Sequence, residues 1–293
     1  MLNLFLQALV GVGFLSAGVW WGYRRWVEPR ASQLELPART LLLLVSLTLM
    51  GGLIGSPFWW FGEPRAFAWA LPPLAGRMLA SAGWSFAVVC FLVLERPTRR
   101  RLRLVLLLLA TYLAPLAAAI LFFHLDRFDF SAAITYAFLA IVLAIVAAAA
   151  WFWFRFPAGF PEQSDGPAAI HGVARGWLAL VILLTGLWGL ALFLTDSGPS
   201  NRVWVWPGDL LTSRLIGVML LTVAAGSAYA LRNPQTVRPM LAMALMYGLG
   251  LCVASAWNSL AGKPVPLSYA VVFGVIAAGS AALWFTGRRA SRE

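Results

Sequence analysis

Arg77 and Arg214 stand at the same place in two matching stretches, WALPPLAGR ending at Arg77 and WPGDLLTSR ending at Arg214. Each falls about one turn into an apolar run. A cation there opposes the dipole of the helix it starts, so it needs a partner. Two guanidinium forks bordered by Trp69, Trp204 and Trp206 suit a phosphate or carboxylate, because a planar fork can donate two parallel hydrogen bonds to such a group. The same residues also suit snorkelling to lipid headgroups, or a pairing with Asp209 or a carbonyl that fixes the loop.

The densest basic segment is ERPTRRRLR, residues 95–103. Arg99, Arg100, Arg101 and Arg103 would orient the neighbouring spans, and the same charges form a surface for anionic lipid. His124, Asp126 and Asp129 share one short segment and are of types that serve acid–base or metal chemistry. No nucleophile accompanies them, and the matching segment later in the chain holds Ala261, Lys263 and Pro266, so a solvated loop is expected. HExxH, Walker A and GxSxG patterns are absent. His124 and His171 fall on opposite sides of the spans, which disfavours a haem held by both. Cys90 and Cys252 lie inside spans without CxxC spacing and read as small buried apolar residues. No cofactor, metal or catalytic residue is expected. Every Asp and Glu falls in a loop or at a span end, which fits carboxylate-coupled transport poorly. Tyr112, Tyr136, Tyr247, Tyr269 and Asn258 are expected to hydrogen-bond between helices.

The elements that must position these groups follow from composition. The 293 residues are 61% hydrophobic and 11% charged, with a mean hydropathy of +0.81, too apolar to cover a water-soluble globule. Runs of about 20 apolar residues match the hydrocarbon thickness, and helices are the form that satisfies backbone groups in lipid. Nine spans are expected, over 3–22, 41–61, 78–95, 104–123, 132–154, 176–195, 212–231, 239–258 and 267–286, in an all-α polytopic fold. The net charge of +11 sits in short loops and argues for topology, not for nucleic acid. Alternating the loops puts Arg24, Arg25, Arg30, Arg39, residues 96–103, Arg155, Arg175, Arg232, Arg238, Arg288, Arg289 and Arg292 on one side. The other side keeps only Arg65, Arg77, Arg127, Arg202, Arg214 and Lys263. The richer side reads as cytoplasmic, so the N-terminus is expected outside and the C-terminus inside. Trp59, Trp60 and Trp257 fall near outer ends, while Trp20, Trp21, Trp26, Trp151, Trp153, Trp177 and Trp284 fall near inner ends, at headgroup level. The first span has no basic residues before it and no cleavage pattern after it, so it does not read as a signal peptide.

Leu74 to Ala144 lie over Leu211 to Ala281 at one constant offset without a gap. Arg77 meets Arg214, Pro97 meets Pro234, Arg101 meets Arg238 and Ser131 meets Ser268. One single-residue gap extends the match to Ala38-Arg39 over Ala174-Arg175. The chain therefore reads as an internal duplication: a first helix and loop (1–37), a four-helix repeat (38–155), a Pro- and Gly-rich flexible linker (156–173) and a second four-helix repeat with a tail (174–293). An even number of crossings per unit makes the repeats parallel, related by an axis near the membrane normal.

The segment Trp204-x-Trp206-Pro207…Leu211-Thr212-x-Arg214 resembles one found in uncharacterised bacterial polytopic membrane proteins. The first copy departs from it, with Ala70 for Pro207 and Gly76 for Ser213. The resemblance implies a bacterial membrane protein and brings no activity. The abundance of arginine beside a single lysine, Lys263, fits a GC-rich bacterial genome, which makes the bacterial inner membrane the expected location. The expected role is a non-enzymatic accessory component, with a membrane-protein partner, or a binder of an anionic lipid or lipid-linked headgroup at the outer leaflet. The alternatives are a transporter or channel with a path between the repeats, and a lipid-modifying enzyme. A polar cavity at mid-membrane would favour transport; a closed apolar seam favours the first reading.

Overall fold

The computed structural model describes residue 13 and residues 16–62, 71–162, 170, 172–194, 210–263, 265 and 267–289. The described residues contain helices and turns and no strand. A first helical segment, α1 (16–22), leads into a π-helical turn, Tyr23–Val27, and a 3-10 turn, Glu28–Arg30. Eight long helices follow: α2 (Leu36–Phe61), α3 (Pro73–Glu95), α4 (Arg99–Phe123), α5 (Ala133–Phe154), α6 (Gly172–Leu194), α7 (Leu210–Arg232), α8 (Val237–Leu260) and α9 (Leu267–Arg289). The shortest has 22 residues, about 33 Å at the α-helical rise, enough to cross the hydrocarbon core. All eight are apolar enough to span a bilayer. The chain is a multi-pass helical membrane protein. The first expected span lies largely outside the described residues.

Several helices begin before their apolar runs, because the sequence supplies start signals there. α3 starts at Pro73, whose fixed φ and missing N–H suit the first helical position. α4 starts at Arg99 behind Thr98, whose hydroxyl accepts from the Arg101 backbone N–H at 3.3 Å. Arg99 to Arg103 therefore lie on the first turns of a helix, and the loop expected over 95–103 shrinks to its first few residues. α2 ends at Gly62, whose φ of 72° supplies a left-handed cap.

Packing divides the helices into a centre and a periphery. α3, α4, α7 and α8 are mostly buried, whereas α5, α6 and α9 expose most of their surface. Among neighbours in sequence, α2 lies along α3, α4 along α5, α6 along α7 and α8 along α9. The centre is closed by α3 against α8 and α4 against α7, while α3 and α4 touch little. Glycines bring two of these pairs to backbone contact. A Cβ on Gly52 would stand 2.3 Å from the Gly83 carbonyl oxygen, and one on Gly189 would stand 2.9 Å from that of Gly217. At the centre, Leu108 of α4 and Met240 of α8 close on Gly226 of α7.

The arginine-rich ends of the helices are tied by polar contacts. Arg25 and the Trp26 indole both donate to Glu95, at 2.9 and 3.0 Å. Trp26 is fully buried, so it is a core residue of the π-turn and not the headgroup anchor its position suggests. The described part of the linker is also held: the Arg99 backbone N–H donates to Pro161 and the Gln235 amide to the Glu162 carbonyl, at 2.9 and 3.2 Å. Cys90 and Cys252 are free thiols.

Candidate functional site

At the end opposite the arginine-rich loops, each of the two matching arginines reaches a helix that runs antiparallel to its own. Arg77, in the second turn of α3, donates from Nη1 to Asn258 Oδ1 near the C-terminus of α8. Its guanidinium lies over the Trp257 ring, 5.5 Å from the centroid. Arg214, in the second turn of α7, donates to His124 Nε2 at 2.8 Å just beyond the C-terminus of α4, and lies 4.9 Å from the Phe123 centroid. It also donates to the Phe193 carbonyl in the last turn of α6, at 3.4 Å. The physical reason is shared. A cation that opposes its own helix N-terminus is favourably placed at the carbonyl end of a neighbour.

The two sites differ in how closed they are. Arg214 is 7% exposed and His124 5%, so the imidazole is packed into the bundle and not in a solvated loop. Arg77 is half-buried, its printed partners are an amide oxygen and an aromatic face, and no carboxylate pairs with it among the described residues. Its Nε is buried and has no hydrogen-bond partner. Around it stands an aromatic wall: Trp257 meets Trp60 edge-on at 6.2 Å, Trp60 meets Trp84 at 5.3 Å, and Phe61 meets Trp257 at 6.5 Å. Trp69, Trp204, Trp206 and Asp209, expected to border the arginines, lie outside the described residues. The aromatic residues present here come from α2, α3 and α8. Trp60 and Trp257 were marked by their place at span ends, whereas Trp84 falls well inside one.

The neighbouring acidic groups are used locally. Asp129 Oδ1 accepts from the backbone N–H and the hydroxyl of Ser131, at 2.9 and 2.6 Å, which holds its carboxyl below the usual range. Asp126 pairs with the adjacent Arg127 at 3.7 Å. Among the described residues, no three His, Cys, Asp or Glu side chains come together as a metal site.

The four arginines of the basic segment separate in space. Arg101 turns inward, donating to the Gln235 and Arg96 carbonyls at 3.1 and 3.4 Å. Arg99 and Arg100 share Glu162, at 3.4 and 3.9 Å. Arg103 lies over Trp153 and Phe156, at 5.7 and 5.5 Å.

No protein-family model, curated protein or solved structure matches this chain. The class is thus defined by the fold: a multi-pass helical membrane protein with a half-buried guanidinium beside indoles at one end.

Proposed function

We propose that this is a non-enzymatic integral membrane protein that holds the anionic headgroup of a lipid or lipid-linked molecule at the outer leaflet, with Arg77 as the principal contact. One observation carries the reading: Arg77 is a half-buried cation with neutral partners and an unused Nε donor. A half-buried cation without a counter-charge is costly, and an oxyanion against the exposed part of the guanidinium would relieve that cost. Arg214, sealed onto His124 and Phe123, acts as the matching structural clasp.

The bundle is read as two parallel four-helix units, 38–155 and 174–293, about an axis near the membrane normal. Exchanging the units maps α2–α3 onto α6–α7, α4–α5 onto α8–α9 and α3–α8 onto α7–α4, and each of these pairs is in contact. Equivalent residues meet near such an axis, and Thr98 donates to its counterpart Gln235 at 2.8 Å. Closure of the centre by Leu108, Met240 and Gly226 favours a scaffold over a transport path. The arginine-rich end is cytoplasmic in this reading, with the protein in a bacterial inner membrane.

The test is the lipid complement of the protein purified in mild detergent. The unaltered chain is expected to retain an anionic lipid that Arg77→Gln loses, with affinity falling about tenfold or more on loss of a charged hydrogen bond. Arg77→Lys should retain part of it. An unchanged lipid complement in a stably folded Arg77→Gln chain would overturn the proposal.

A further inference from the structure

We propose that Arg99 and Arg103 form a second, separate site, at the arginine-rich end, that binds a phosphate group. The two residues are four apart on α4, which places like charges side by side on one helix face, an arrangement that destabilises the helix unless an anion shares them. Both guanidiniums stack against one ring: Arg99 and Arg103 each lie 5.5 Å from the Phe156 centroid, and Arg103 also lies 5.7 Å from that of Trp153. Stacking fixes the planes of the forks, which is what two-pronged recognition of an oxyanion needs.

Both side chains stay partly accessible, Arg99 at 42% exposure, although their Nε atoms are buried and without a hydrogen-bond partner. Glu162 is the only carboxylate paired with this cluster among the described residues; it reaches Arg99 and Arg100, is 60% exposed, and makes no ion pair with Arg103. The Tyr229 hydroxyl of α7 donates to the Arg100 carbonyl at 3.2 Å, which packs α7 beside this turn of α4. The site thus has walls from α4, the end of α5 and α7.

Orientation of the spans does not account for it. At the equivalent positions in the second half the chain carries Thr236 and Met240, and a long helix starts there, behind a 3-10 turn, without the pair. The chemistry recognised is a phosphate monoester or diester at membrane level, from a phospholipid headgroup or a soluble phosphate ester. The inference is independent of the reading of Arg77, at the other end of the bundle.

The experiment measures binding of a fluorescent phosphatidic acid to the full chain in neutral detergent, beside phosphatidylcholine as the zwitterionic probe. Arg99→Gln/Arg103→Gln is expected to weaken phosphatidic acid binding about tenfold or more. Arg24→Gln/Arg232→Gln, which removes two charges from the same end, should leave it nearly unchanged; an equal loss there would show diffuse attraction and overturn the site. Competition by inorganic phosphate would identify a soluble ester as the ligand, and resistance to it a lipid. On the unaltered chain, a photoactivatable phosphatidic acid should crosslink within residues 150–162. Labelling confined to other segments would overturn the proposal whatever the variants do.

Discussion

At Arg214 the guanidinium has only donors, so His124 Nε2 must accept, and the ring carries its proton on Nδ1. Removing the imidazole takes that acceptor away from a buried guanidinium. His124→Ala is expected to lower stability by about 1–3 kcal/mol, read as a fall in the thermal midpoint in detergent, and His124→Gln should recover part of it by restoring an acceptor. An unaltered midpoint in His124→Ala would show that the clasp contributes nothing. The equivalence of Arg77 and Arg214 was legible in the sequence, since both end matching stretches. Their partners were not: Asn258 lies 181 residues from Arg77, and His124 lies 90 from Arg214. Nothing local marks such pairs. Asn258 was expected to hydrogen-bond between helices, as it does, but which helix it would reach was not marked, and the segment holding His124 was expected to be solvated.

Helix type and rough placement were legible because each apolar run is long enough to cross a bilayer, but helix starts were not. Apolar content marks the hydrocarbon depth, whereas Pro73 and Thr98 begin helices in the polar margin beyond it. Thus the guanidiniums of Arg99 and Arg103 come to share a helix face, a relation invisible when 95–103 is read as loop. Close approach of helices is not marked by apolar content at all. The structure singles out Gly52, which faces the Gly83 carbonyl, from Gly51, which has nothing within 4 Å of a Cβ. Gly52→Ala should cost about 1–3 kcal/mol by forcing α2 from α3. Gly51→Ala should be neutral or slightly stabilising, since alanine is the better helix former. Equal thermal midpoints for the two variants would contradict the packing.

On the proposed reading as two four-helix units, exchanging them preserves the pairs of helices in contact but not the residues around the two arginines, because Asn258 corresponds to Leu121 and His124 to Ala261. Arg214 is enclosed while Arg77 is half-buried, and the proposed anion site rests on that difference. A structure determined in lipid nanodiscs containing anionic phospholipid tests this most directly. A headgroup oxygen is expected within about 3 Å of the Arg77 guanidinium, the distance of a charged hydrogen bond, bordered by Trp257 and at the end of the bundle away from Arg99. A resolved Arg77 whose guanidinium meets only protein atoms or water, with anionic lipid in excess, would overturn the reading.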